Sequence, residues 1–336
     1  MFNFYKIIKI IYNIDMADIT QFDYYIGIDI GGTRTRVGRF SRSFKLEEKE
    51  VIETFRYKDN PKLLLEEIAK KILSLKKPNS KFAIGISAPG PCDTKLGIVK
   101  DPPNLPGWGE VRVSEFFKNK FDTYVRLEND ANAAAFAEYK IGSGKGYKNL
   151  VYFTLSTGIG GGIIINGRIY RGFMDSAGEF GHQIVLPNGP KCRCGSRGCL
   201  EAVSSGYAIS RDATSKALVR KSGILYEIYK KNGTISAKDV FYASSQGDDT
   251  SWKILNRAIM YLGIGISNII TILSPECVVL GGGLSNQEYI IEEIRNFAKE
   301  HVKMAPINKI KLVKSFFGDD SSLYGSVLDL DIVDSF

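Results

Sequence analysis

The sequence lacks any apolar run that approaches the ~20 residues needed to span a bilayer. It also lacks a secretory signal, because two lysines interrupt the apolar stretch MFNFYKIIKIIYNID at the start and no small-residue cleavage site follows. We therefore expect a cytoplasmic protein without a membrane partner. Residues 1–20 are interpreted as an N-terminal arm or a mis-called start, and they are left out of the fold prediction.

Clustered positive charge is missing as well. The 336 residues carry 45 Lys and Arg against 37 Asp and Glu, for a formal net charge of +8. These basic side chains are scattered through predicted helices rather than grouped with aromatic residues, which argues against a nucleic-acid partner. A hydrophobic content of 44% is ordinary for a globular protein, and the length favours two domains.

Three glycine clusters each follow an apolar strand directly. The strand at 24–30 runs into Gly31 and Gly32, the strand at 150–156 into the turn at 157–162, and the strand at 277–280 into the glycines at 281–283. The first two clusters are each followed by a second strand, so the two hairpins are weak internal copies. A duplicated hairpin predicts two related lobes, and the alternation of strands with helical segments predicts an α/β fold.

Glycine turns of this kind are suited to phosphate, because amides without a side chain in front of them can donate to phosphate oxygens. Tight packing explains any one such turn equally well, but three in one chain favour a phosphate site. The pattern GxxxxGK[ST] is absent, which predicts a different kind of nucleotide cradle. Asp29 beside the first turn would repel a bare phosphate, and it fits if Mg²⁺ lies between them. Thr33, Thr35 and Thr157 add hydroxyl donors.

Three cysteines and a histidine form the pattern H-x9-C-x-C-x4-C at His182, Cys192, Cys194 and Cys199. Since disulfides are not expected in a reducing compartment, these thiols need another role. Free buried thiols remain one explanation. One imidazole and three thiolates would also complete a closed tetrahedral zinc site, with no position left for a reacting water.

Asn129 and Asp130 lie where a short strand ends and an alanine-rich helix begins. Aspartate is a favoured N-cap residue, and from the residues alone the capping role is the stronger explanation for Asp130. A carboxylate at this position would also be held ionised by the helix dipole, as a proton acceptor requires. The sequence alone leaves both roles open.

Several motifs taken together resemble the ROK family (repressors, open reading frames and sugar kinases). The resemblance covers roughly residues 24 to 330 and rests on the segments Asp29–Thr33, Asn104–Trp108, Glu128–Ala134, Thr157–Gly162 and Glu179–His182, on the cysteine cluster, and on Gly318–Asp320. It implies a two-lobed, actin-like (ribonuclease H-like) ATPase fold, with ATP and sugar in a cleft between the lobes and a structural zinc in a loop. The lobe boundaries that we expect are 21–130, completed by 318–336, for the small lobe and 131–317 for the large lobe.

The resemblance also implies the role of each site residue. Asp130 becomes the catalytic base. The residues expected to bind the sugar are Asn104, Asn129, Asp130, Glu179, His182 and Glu201. Those expected to bind ATP are Asp29, Gly31, Gly32, Thr33, Thr35, Thr157, Gly158, Gly160, Gly161, Gly282 and Gly283, with Asp29 reaching Mg²⁺ through water. The zinc ligands are His182, Cys192, Cys194 and Cys199, and Trp108 is interpreted as a plug of its own loop.

The function implied is ATP-dependent phosphorylation of a hexose, with glucose as the first candidate and an N-acetylhexosamine as the alternative. The expected partners are ATP, the sugar and further copies of the chain in a dimer or tetramer. Sugar-sensing repressors of the family carry a winged-helix module ahead of the kinase-like body. Only 23 residues precede the first predicted strand, too few for such a module, so the repressor is the less favoured alternative.

Overall fold

A computed structural model of the protein describes residues 21–57 and 59–331. The segment 1–20, interpreted above as an arm, and residues 332–336 of the expected small lobe lie outside the described residues. The strands are β1 (Tyr24–Ile30), β2 (Arg34–Ser41), β3 (Leu46–Glu53), β4 (Phe82–Ala88), β5 (Cys92–Asp93), β6 (Ile98–Lys100), β7 (Glu110–Val111), β8 (Val125–Asn129), β9 (Leu150–Leu155), β10 (Ile159–Ile165), β11 (Arg168–Ile169), β12 (Cys277–Gly281) and β13 (Lys311–Lys314). The helices are α1 (Pro61–Leu75), α2 (Val113–Phe121), α3 (Asp130–Ile141), α4 (Leu200–Ser204), α5 (Gly206–Arg220), α6 (Ile224–Asn232), α7 (Ala237–Ser245), α8 (Asp249–Leu273), α9 (Glu288–His301) and α10 (Ser321–Leu328).

The described chain divides into two compact units. The first contains residues up to 133 together with those from 323 onward, and the second contains residues 134–322. The chain therefore passes from one unit to the other inside two helices, α3 and α10, rather than in loops. The mixture of sheets and helices confirms the predicted α/β class.

Each unit is built on a five-stranded sheet, and the two sheets have the same topology. Their strand orders are β3-β2-β1-β4-β8 and β11-β10-β9-β12-β13. In both, the first three strands along the chain form an antiparallel meander, the fourth pairs in parallel with the first, and the fifth pairs in parallel with the fourth. The internal duplication suggested by the two glycine hairpins thus extends to the whole of both sheets.

Helix α1 covers one face of the first sheet. At its start, the side chain of Asn60 accepts a hydrogen bond from the amide of Leu63. Pro61 has a φ angle suited to a helix, and the N–H that it lacks would have had no partner within the helix. Its buried side chains recur every three or four residues and join the strands in one core. They are Leu64, Leu65, Ile68, Ala69, Ile72 and Leu75.

Three glycines lie in a row across this sheet and leave its opposite face without side chains there. Gly38, Gly27 and Gly85 are direct cross-strand neighbours on β2, β1 and β4. Helix α10 lies on this row, because a Cβ atom on Gly85 would stand only 2.0 Å from the carbonyl oxygen of Ser326. The row therefore lets a helix approach the sheet more closely than any larger residue would permit.

The core of the second unit is organised around α8, which has 25 residues. This helix is long and apolar enough to pass a length and composition test for a membrane span, which the sequence analysis did not expect. However, 61% of its most apolar window is buried inside the protein. Its apolar residues, including Leu255, Leu262 and Ile266, are part of the largest apolar cluster among the described residues. The burial is that of a core helix.

The glycine row gives the first testable prediction. We expect Gly85→Ala to lower the free energy of unfolding by about 1–3 kcal/mol, because the added methyl group forces α10 away from the sheet. Urea denaturation would measure the change. Gly283→Ala is the matched control, since a Cβ there would meet no atom within 4 Å. Equal stability of both variants would contradict the close approach.

Candidate active site

Asp29 lies at the carboxyl end of β1, in the first unit, and is 4% exposed. Its Oδ2 accepts a hydrogen bond from Arg36 at 2.9 Å, across the β1–β2 ladder, and its Oδ1 accepts one from Ser87 at 3.1 Å. Both carboxylate oxygens therefore already have protein partners. Such a carboxylate can support a hydrated cation through water without giving up its ion pair.

The first glycine turn is fixed by a hydrogen bond within its hairpin and by a close contact with a neighbouring loop. Gly31 donates to the carbonyl of Arg34 at 3.1 Å and closes the hairpin. A Cβ on Gly32 would stand 2.8 Å from the carbonyl oxygen of Asn104, so the turn lies directly against the loop that carries this exposed asparagine. The structure thus places the predicted phosphate turn and one predicted sugar residue side by side.

The two threonines of this turn differ in placement. Thr33 is exposed, and its carbonyl accepts from the amide of Thr54 at 3.0 Å. Thr35, by contrast, is 0% exposed, and its hydroxyl forms a 2.8 Å hydrogen bond with that of Thr54. The expected contact between the Thr35 hydroxyl and a phosphate does not fit this placement, because the alternation of β2 turns its side chain inward. Thr35 stabilises the hairpin instead.

The start of α3 settles which residue caps the helix. The side-chain oxygen of Asn129 accepts from the amides of Ala131, at 3.0 Å, and Asn132, at 3.1 Å. Asn129 is thus the N-cap, and Asp130 is the first helical residue. The capping role left open for Asp130 belongs to its neighbour. The half-buried carboxylate of Asp130 accepts from the amide of Ala131 at 2.8 Å and lies at the positive end of the helix dipole.

Trp108, from the same loop as Asn104, is 4% exposed and belongs to the core of the first unit. Its interpretation as a plug rather than a stacking platform is confirmed.

In the second unit, the predicted zinc ligands come together. One ligand atom from each of His182, Cys192, Cys194 and Cys199 lies within 4.8 Å of every other. The Sγ atoms of Cys194 and Cys199 are 3.7 Å apart, and Nδ1 of His182 is 3.6 Å from Sγ of Cys192. A tetrahedral ion with Zn–S bonds of about 2.3 Å and Zn–N bonds of about 2.0 Å requires separations of roughly 3.8 and 3.6 Å. The four side chains therefore fit zinc.

The chemistry of the thiols also favours a bound cation. Burial and the sulfurs of Cys194 and Cys192 raise the pKa of the Cys199 thiol to about 12. Three thiolates packed this closely are not stable at neutral pH without a positive ion between them.

His182 connects this cluster to a predicted sugar residue. Its Nδ1 faces Cys192, while its Nε2 lies 3.8 Å from the carboxylate of Glu179. The exposed Glu179 is therefore positioned by a residue of the metal cluster, as a carboxylate beside a ligand histidine commonly is.

The Glu179–His182 segment packs against β10, the strand that follows the second glycine turn. A Cβ on Gly161 would stand 2.1 Å from the ring of Phe180, and one on Gly181 would stand 2.0 Å from the carbonyl of Ile159. Gly161 is buried by this contact, so packing accounts for the glycine here as fully as a phosphate would.

Glu201 extends the connection to the turn itself. Its Oε2 accepts from the amide of Ile159 at 2.9 Å, and the absence of a side chain on Gly158 makes room for this carboxylate. Since Glu201 follows Cys199 by two positions, the metal loop and the second glycine turn are joined by a short and direct link.

A cavity of about 890 Å³ opens beside this turn, within the second unit. Thr157 from the second glycine cluster and Gly283 from the third both line it, although they are far apart in the sequence. Gly282 has a positive φ angle of 83°, and its α-carbon packs against the backbone of Leu155. A Cβ on Gly283, by contrast, would have no atom within 4 Å. Two of the three predicted phosphate turns therefore line the same cavity.

Sequence analysis missed most of the side chains of this cavity, because they come from four separate helices and lie in no motif. The aromatic and polar ones among them include Tyr207, Ser210, Lys238, Phe241, Tyr242, Trp252, Asn256, Gln287 and Tyr289. Spacing on each helix could have indicated only that these positions lie on one face.

The model of the ROK family matches residues 25–329 of the chain. A glucokinase from Thermotoga maritima is 33% identical over 302 residues, which cover 90% of this chain and 95% of that protein. An N-acetyl-D-glucosamine kinase from Histophilus somni is 30% identical, with 90% and 97% covered. A crystal structure of a ROK family glucokinase from Streptomyces griseus, in complex with glucose and AMPPNP, superimposes with a TM-score of 0.78 at 28% identity, over 90% of this chain and 97% of that one. These matches confirm the predicted actin-like fold.

The metal cluster gives the second testable prediction. We expect one zinc ion per chain in the purified protein and a loss of zinc in Cys194→Ser, because a hydroxyl is a poor replacement for a thiolate. Elemental analysis would measure the metal, and thermal melting would record an earlier transition. Cys92→Ser is the control, since Cys92 lies in the other unit and should leave the zinc content unchanged. A wild-type protein without zinc would contradict the assignment.

Proposed function

This chain belongs to the ROK family and is an ATP-dependent sugar kinase, and we propose that it phosphorylates a hexose, with glucose as the preferred acceptor and Asp130 as the base. The observation that carries the proposal is the cavity bordered by Thr157 and Gly283. It has the size of a small-molecule site, aromatic walls suited to a nucleobase, and glycine turns suited to phosphates.

Asp130 is suited to the role of base by its position. A kinase base orients the acceptor hydroxyl and takes its proton late, so it needs an ionised carboxylate rather than a strong one. The dipole of α3 favours the ionised form, and Asn129 supplies the helix cap. Asn129 therefore holds the start of the helix, while Asp130 receives the hydroxyl proton.

The phosphates are assigned to the glycine turns. We assign the first turn to Gly31, Gly32 and Thr33, the second to Thr157, Gly158 and Gly160, and the third to Gly282 and Gly283. Thr35 and Gly161 support these turns from behind, since their buried positions serve packing. Mg²⁺ would neutralise charge on the transferred group, and Asp29 would contact its hydration shell, because both oxygens of Asp29 already accept protein hydrogen bonds.

The sugar is assigned to Glu179, His182 and Glu201, with Asn104 and Asn129 as further contacts. Zinc would hold this set in place by fixing His182 and the loop that precedes Glu201. It would take no part in the chemistry, since four protein ligands would leave no open position for a reacting water. Water must be kept from the phosphoryl group, and a sugar bound over Asp130 does so by occupying the place of the competing nucleophile.

An N-acetylhexosamine kinase is the second candidate, favoured by the 30% identity to an N-acetyl-D-glucosamine kinase over most of the chain. Both candidates use the same zinc cluster and base, so the acceptor decides between them. ADP release with glucose, mannose, fructose, N-acetylglucosamine and N-acetylmannosamine would rank the acceptors. If only the acetylated sugars were phosphorylated, an N-acetylhexosamine rather than glucose would be the acceptor. A cytoplasmic dimer or tetramer without nucleic-acid or membrane partners remains part of the proposal.

The third prediction concerns the base. We expect Asp130→Asn to lower kcat by about 100- to 10,000-fold while glucose and AMPPNP still bind, because only the proton acceptor is lost. Coupled ADP release would measure kcat, and calorimetry the two affinities. Asp122→Asn, a change at an exposed helix end in the same unit, is the control. Turnover of Asp130→Asn close to that of the control would remove Asp130 from the mechanism.

The fourth prediction concerns the cavity. We expect Gly283→Leu to raise the KM for ATP several-fold, because the new side chain extends into the space assigned to the nucleotide. The KM for glucose and the melting temperature should stay close to those of the wild type, since no atom lies within 4 Å of a Cβ at this position. An unchanged KM for ATP would place the nucleotide outside the cavity.

A further inference from the structure

The zinc loop contacts more than its own ligands. Arg193 lies between the ligands Cys192 and Cys194, and its guanidinium carbon stands 4.3 Å from the centre of the Tyr207 ring. This is a cation–π distance, and Arg is the cation that most often makes such contacts. With residues on both sides of it bound to one metal ion, the backbone of Arg193 would be fixed in position.

Tyr207 connects this contact to the nucleotide cavity. It lines the cavity and lies in the first turn of α5, where its amide donates to the carbonyl of Thr157 at 3.1 Å. The preceding amide, from Gly206, donates to the carbonyl of Ser156 at 2.8 Å. The start of α5 therefore holds the second glycine turn from behind, and Tyr207 itself is 43% exposed.

We propose that Arg193 is a positioning residue of the nucleotide site, which fixes the ring of Tyr207 and, through the start of α5, the turn at Ser156 and Thr157. The inference rests on the proposed function in one respect, that the cavity takes a nucleotide. It gives the zinc loop a second task. Besides arranging the acceptor residues, the loop shapes the wall against which the phosphate donor binds.

A second arginine in the same loop serves as a comparison. Arg197 donates to the carbonyl of Gly189 at 3.4 Å, and neither arginine lines the cavity itself. Both arginines are exposed and both lie between the ligands Cys192 and Cys199, so their charge and exposure are alike, although Arg193 adjoins two ligands and Arg197 adjoins none. Only Arg193 of the two contacts the ring of Tyr207.

The test measures binding of Mg²⁺–AMPPNP by calorimetry, together with steady-state kinetics. We expect Arg193→Ala to weaken AMPPNP binding about two- to fivefold, the effect of one exposed cation–π contact, and to raise the KM for ATP by a similar factor. The KM for glucose, kcat and the zinc content should not change. Arg197→Ala should match the wild type in every measurement.

Variants of Tyr207 show whether Arg193 acts through the ring. Tyr207→Phe keeps the ring and should preserve the effect of Arg193→Ala, whereas in a Tyr207→Leu background Arg193→Ala should have no further effect on AMPPNP binding. Equal AMPPNP affinity of wild type and Arg193→Ala would overturn the inference, as would equal losses in Arg193→Ala and Arg197→Ala. A wild-type protein that binds no nucleotide would instead overturn the proposed function.

Discussion

Close approach of backbone to backbone is the constraint on which both units depend. In the first unit, a row of glycines lets α10 lie directly on the sheet, and Gly32 lets the first turn touch the loop of Asn104. In the second unit, Gly161 and Gly181 let the segment that carries Glu179 and His182 lie directly on β10. Several glycines that were predicted to contact phosphate are also required for packing, because two elements meet there without room for a side chain.

This packing brings two kinds of chemistry together in the second unit. Glu201 accepts a hydrogen bond from the turn assigned to phosphate, while its sequence position ties it to the metal cluster. Within the second unit, the residues assigned to the acceptor and those assigned to the donor therefore share one support. A strained or loosened metal loop would affect both substrates, because Glu201 and Arg193 transmit its position to different parts of the same turn.

The sequence predicted the α/β class and the duplication because both are encoded locally, in strands followed by glycines. The cysteine spacing alone left free thiols open, and the family resemblance supplied the zinc ligands. From the residues alone the capping role was assigned to Asp130, whereas the structure gives it to Asn129; either side chain could satisfy the same amides, and only backbone geometry decides. The sequence analysis assigned the Thr35 hydroxyl to phosphate because a hydroxyl beside glycines looks accessible until the alternation of β2 is known. The cavity walls were missed since they are assembled from separate helices.

The repeated sheet topology has a consequence for how this protein came about. Two copies of one ancestral half, fused end to end, would give the observed strand orders. The two halves differ in their insertions: the first carries the small sheet β5-β6-β7 between its last two strands, and the second carries the cysteine loop and the helices α4 to α8 ahead of β12. Glu179, His182 and Glu201, three of the residues assigned to the acceptor, lie in the second insertion, so natural selection could alter them while the two sheets stayed intact.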